Sequence, residues 1–122
     1  MEYTQNRATF CYLKIADAEY YLTERNMELE ILRKELDHTD EKLIADFQER
    51  MRICARIGAE KAAMGRAVRD PVREEQKLDM ATRSADPAFS AYVRELFREL
   101  MRLSRAYQEE IKDGKDDERA EH

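Results

Sequence analysis

Between residues 28 and 64 apolar positions recur every three or four residues: Ile31, Leu32, Leu36, Leu43, Ile44, Phe47, Met51, Cys54, Ala55 and Ala62. Spacing of that kind lays one apolar stripe along a helix. No proline interrupts the stretch, and Gly58 is its one glycine. At about 1.5 Å per residue the predicted helix is roughly 55 Å long. A compact domain of this size is only about 30 Å across. A stripe that long needs an equally long surface to cover it, and a second copy of the chain is the natural source.

The pattern breaks at residues 65–69, GRAVR. Asp70-Pro71 then reads as the N-cap and first position of a second helix, with Val72, Leu78, Met80 and Ala81 facing inward. Asp86-Pro87 repeats the start signal for a third helix. Its stripe is Phe89, Tyr92, Val93, Leu96, Phe97, Leu100, Met101, Leu103, Tyr107 and Ile111, and Gly114 is expected to end it. The fold class that follows is all-α: three helices, the first about twice as long as the others. Residues 1–27 form an apolar N-terminal extension of unknown role. Within it ADAEYYLTERN suits a helix, whereas TFCYLKI suits a strand equally well. Residues 28–112 make the domain, and 113–122 a charged, frayed tail.

Composition narrows the function. The chain has 122 residues, 40% of them charged, with a net charge of -5. That balance argues against nucleic acid as a partner. Apolar runs are too short to span a membrane, and the N-terminus lacks the signature of a signal peptide, so the expected compartment is the cytoplasm. Cys11 and Cys54 form no CxxC motif, and His38 and His122 are isolated, so no metal site is expected. Arg50 and Lys61 stand 11 residues apart, close to three turns, and so share a face about 16 Å apart along the axis. Such a pair suits a small anion. Arg33 is 17 residues before Arg50, about 100° round the axis and about 25 Å away, so it cannot reach the same pocket within one straight helix.

Asp70, Arg73 and Glu74 open the second helix, and Ser104 and Gln108 share a face of the third. Taken singly, each is an ordinary solvated charge or cap. Taken together, Leu32-Arg33, Asp40, Arg50, Lys61, Asp70, Arg73-Glu74, Ser104 and Gln108 stand at spacings that resemble the all-α (AroQ-type) chorismate mutases. Gly58 and Val68-Arg69-Asp70 also fit. The resemblance covers about residues 28–110. Ala67 stands where a proline is common, the link between the second and third helices is about two residues shorter, and residues 1–27 have no counterpart.

The resemblance implies an intertwined homodimer forming a helical bundle, with Arg33 contributed to the other subunit's site, which agrees with the distance reasoning above. It implies a Claisen rearrangement of chorismate to prephenate, on the way to phenylalanine and tyrosine, with no cofactor and no metal. Arg33 and Arg50 would clamp the substrate's carboxylates with help from Ser104, since guanidinium forks match carboxylates. Lys61 and Gln108 would donate to the ether oxygen, where negative charge grows as the bond breaks. Glu74 and the Asp70 main chain would hold the ring hydroxyl, with Arg73 ordering Glu74 or solvent. Gln108 donates at any ordinary pH, so activity is expected to persist above neutrality. No regulatory domain is expected after the third helix. Competing readings are an isochorismate-pyruvate lyase, a mutase-like domain that mainly binds and regulates a partner, and a plain coiled coil. Glu74 directly after Arg73 favours the mutase over the lyase.

Overall fold

The computed structural model describes the backbone of residues 2–120 and the side chains of residues 17–114. Among the described residues the chain forms three helices and no strand: α1 (Glu2–Ala63), α2 (Pro71–Ser84) and α3 (Ser90–Ala120). The all-α expectation holds. By contact pattern the chain divides into two units, Met1–Ala45 and Asp46–His122.

The first unit is helical backbone from Glu2 onward, so the N-terminal extension belongs to α1 and the strand alternative for TFCYLKI is not adopted. Local propensity for such a short apolar run is ambiguous, and helix continuity decides it. Every described residue of this unit is exposed. Leu22, Leu29, Leu36 and Leu43 fall seven apart, and Leu36 keeps 57% of its surface in solvent. A seven-residue leucine repeat is the seam with which helices pair. The apolar side chains expected at residues 1–16, among them Phe10, Tyr12, Leu13 and Ile15, lie outside the described side chains.

The second unit holds the core. α1 ends at the GRAVR break through a paired closing motif: Gly65 N–H donates to the Ala62 carbonyl at 3.1 Å and Arg66 N–H to the Lys61 carbonyl at 2.7 Å. This motif requires a left-handed residue, and Gly65 has φ +68°. α2 starts as expected, with the Asp70 carboxylate accepting from Arg73 N–H at 3.1 Å and Pro71 in the first turn. α2 packs on α3 through Leu78, Ala81 and Met101, which are buried. Arg94 of α3 fastens the pair by reaching Glu75 at 2.8 Å and Asp79 at 3.2 Å. The hydrogen bonds to Asp79 and then Glu75 push the Arg94 pKa up, so this clasp is cationic at any working pH.

Three expectations need correction. Val72 and Met80 are exposed, as are Phe89, Tyr92, Leu96 and Tyr107, because a helix hairpin covers only the narrow strip it packs against. α3 begins at Ser90, since the Asp86 carboxylate caps a preceding turn by accepting from Ala88 N–H at 3.0 Å. Gly114 does not end α3, which runs to Ala120. A glycine stops a helix by turning left-handed, and only Gly65 does so among the glycines of this chain.

Candidate active site

The second unit brings Arg50 and Cys54 of α1 against the middle of α3. Arg50 is half-buried, and its Nη1 donates to Ser104 Oγ at 2.8 Å and to the Leu100 carbonyl at 3.4 Å. Its guanidinium carbon lies 5.9 Å from the centre of the Phe97 ring, a range in which a ring face attracts a cation. Ser104 is 5% exposed, and its hydroxyl donates to the Leu100 carbonyl at 2.8 Å while accepting from Arg50. Its one proton is therefore committed to the helix, and Ser104 acts on Arg50.

One turn further along α3, Gln108 Nε2 donates to the Cys54 carbonyl. Gly58 makes that crossing possible. A Cβ at residue 58 would stand 3.0 Å from Gln108 Cγ and 3.2 Å from its Cδ and Nε2, closer than side chains tolerate without moving. Lys61 Nζ donates to the Val68 carbonyl at 3.2 Å, within the connection that leads to Asp70 and α2. Neither Arg50 nor Lys61 takes part in any ion pair among the described residues. Both cations are partly buried, and their hydrogen-bond partners are neutral: the Leu100 and Val68 carbonyls, the Ser104 hydroxyl and the Cys54 sulfur. A cation held that way keeps its charge available to an incoming anion.

With this geometry in hand, the chain can be compared with known proteins. A family model described as Chorismate mutase type II matches residues 32–109. The chain belongs to this family. Its characteristic enzyme is chorismate mutase, an isomerase, and the match covers Arg33, Arg50, Lys61, Asp70, Arg73, Glu74, Ser104 and Gln108. No curated protein and no solved structure matches the chain.

Hydrogen bonds join Arg50, Ser104 and Gln108 to one stretch of α1 and α3, and Lys61 to the turn that follows α1. Arg33 lies in the first unit, exposed, paired with Glu30 at 3.2 Å one turn back. Asp70 serves as the α2 cap. Glu74 forms an ion pair with Arg105 of α3, with side-chain exposures of 22% and 30%. Sequence reasoning missed Arg105. It directly follows Ser104 and precedes Gln108 by three residues, so its place on the helix was legible, whereas its partner on α2 depends on packing.

A separate open cavity of about 530 Å³ lies along Ile53, Arg56, Ile57, Glu60, Lys61 and Met64. It shares only Lys61 with the candidate set. Ile53, Ile57 and Met64 are exposed there, which suits a packing surface better than a site for a dianion. Among the described residues no helix is long and apolar enough to cross a membrane.

Proposed function

We propose that this chain converts chorismate to prephenate by a Claisen rearrangement, acting as a homodimer in which each site borrows Arg33 from the other subunit. The observation that carries the reading is the pair of partly buried cations, Arg50 and Lys61, held by neutral acceptors within the matched family segment. Chorismate is a dicarboxylate. Arg50 takes one carboxylate, oriented by Ser104 and Phe97 before the ligand arrives, and Arg33 of the partner subunit takes the other.

The rearrangement is unimolecular, so catalysis consists of holding the substrate in its compact reacting shape and stabilising the charge that builds on the ether oxygen. Lys61 and Gln108 supply the donors. To reach that oxygen, Lys61 exchanges the Val68 carbonyl and Gln108 the Cys54 carbonyl for substrate, and both acceptors keep the side chains extended until then. Glu74 accepts from the ring hydroxyl near the start of α2. The homodimer reading is supported by the exposed leucine repeat of the first unit, which the described residues of that unit leave uncovered. The product feeds phenylalanine and tyrosine synthesis.

The test is the purified chain with chorismate and no added metal or cofactor, following loss of substrate absorbance and identifying the product by NMR. Prephenate is the expected product. Removing one well-placed transition-state donor costs about 10²–10³ in kcat, so Lys61→Ala should lose at least that much. Activity should hold from neutral to mildly alkaline pH, because Gln108 needs no proton to donate. Pyruvate released from isochorismate, with chorismate untouched, would move the chain to the lyase.

A further inference from the structure

Among the described residues, the ion pair that joins α2 to the neighbour of a candidate site residue on α3 is Glu74 with Arg105. Glu74 sits in the first turn of α2, and Arg105 sits on α3 between Ser104 and Gln108. The register that makes them meet is set independently, by the buried contact of Leu78, Ala81 and Met101 and by the Arg94 clasp on Glu75 and Asp79. The pair is therefore not needed to dock the two helices. Both side chains are shielded rather than solvated, with 22% and 30% of their surfaces exposed.

A carboxylate beside a site for a dianion is a liability: its charge repels the ligand it is meant to help hold. It is useful there only if its charge is balanced and its lone pairs are aimed. We propose that Arg105 is the positioning residue for Glu74 in the proposed mutase reaction, neutralising its charge and fixing the carboxylate so that its second oxygen accepts from the ring hydroxyl of chorismate. Arg73 is not that residue: among the described residues it forms no ion pair with Glu74, which pairs across to α3 instead. Arg105 touches no part of the substrate itself. Its effect passes through Glu74, so it governs recognition of the hydroxyl and leaves the ether-oxygen donors Lys61 and Gln108 alone.

This inference rests on the mutase reading, and the experiment separates the two. Steady-state kinetics with chorismate are measured for the full chain and for Arg105→Ala, Arg105→Lys, Glu74→Gln and the double variant Arg105→Ala/Glu74→Gln, with thermal melts alongside. Inhibition constants are measured for two cyclic dicarboxylate analogues, one with the ring hydroxyl and one without. A hydrogen bond to a charged group is worth about tenfold or more in binding. Arg105→Ala should raise KM about tenfold with kcat within about twofold, the signature of lost ground-state binding. Arg105→Lys should recover part of the loss. Arg105→Ala should add nothing in the Glu74→Gln background, and should weaken the hydroxylated analogue while leaving the other unchanged. An unchanged KM in Arg105→Ala, an equal loss in both backgrounds, or equal weakening of both analogues would overturn the inference while the mutase reading stands. A wild-type chain that neither binds nor converts chorismate overturns the mutase reading and the inference with it.

Discussion

The two units of the chain differ in how their apolar and charged residues are used. In residues 17–45 every side chain is exposed, the leucines repeat at seven, and Arg33 has only a neighbouring glutamate one turn away. In residues 46–114 the helices bury Leu78, Ala81, Met101 and Ser104, and Arg50 is held by acceptors 50 and 54 residues away in sequence. The described residues of one unit are a surface without a cover. The other unit holds the candidate site. The lesson is that local helix formation and site assembly are separate achievements: the leucine repeat makes a helix without making a contact among the described residues, and under the proposed function Arg33 gains its role only when another chain supplies the rest of the site.

The largest expected effect breaks that contrast at its weakest point. Leu36→Lys replaces a side chain already 57% exposed, so in an isolated chain it is nearly neutral. If the leucine repeat pairs two chains, the substitution puts a charge into that seam. Sedimentation should then show monomer, and activity should fall by about a hundredfold or more, since each site loses its borrowed arginine. Unchanged assembly would mean the exposed stripe has another purpose.

Gly58→Ala probes the second unit alone. The added methyl meets Gln108 at 3.0 Å and must push it aside. Activity should fall about ten- to a hundredfold through kcat, because a displaced donor is lost mainly from the transition state. Sedimentation should be unaffected. A loss in assembly instead would mean that the glycine serves packing between chains.

The smallest effects concern the two remaining glycines, and they should have opposite signs. Gly65 is left-handed, so Gly65→Ala should cost about 1 kcal/mol or more. Gly114 is inside α3 with nothing within 4 Å of an added Cβ, so Gly114→Ala should add a few tenths to about 1 kcal/mol. Thermal melts of both variants check the pair.

Much of this architecture was legible in the sequence where one residue's chemistry decides the local backbone. Asp70-Pro71 could only open a helix, and Gly65 in GRAVR closes the one before it. Gly114 misled because a glycine permits a stop without requiring one. Asp86-Pro87 misled by three residues because a carboxylate can cap a single turn as readily as a helix. Val72 and Met80 read as inward by period, but period states which face is apolar, not whether anything lies opposite. At the site, spacing placed Arg50 and Lys61 on one face of α1 and Ser104 with Gln108 on one face of α3. It did not reveal the Cys54 carbonyl beneath Gln108 or the crossing of Arg105 to Glu74, since both depend on the packing of separate helices.

The proposed borrowing of Arg33 is the point at which both units would act together, and subunit exchange tests it. Arg33→Ala and Lys61→Ala chains, each inactive alone, are mixed and allowed to exchange. A heterodimer then holds one site with both residues intact and one with neither. At equal mixing about a quarter of wild-type chorismate mutase activity should return, rising with the rate of exchange. If exchange is verified and activity stays at the level of the separate variants, Arg33 does not complete a partner's site, and the account of a shared site is wrong.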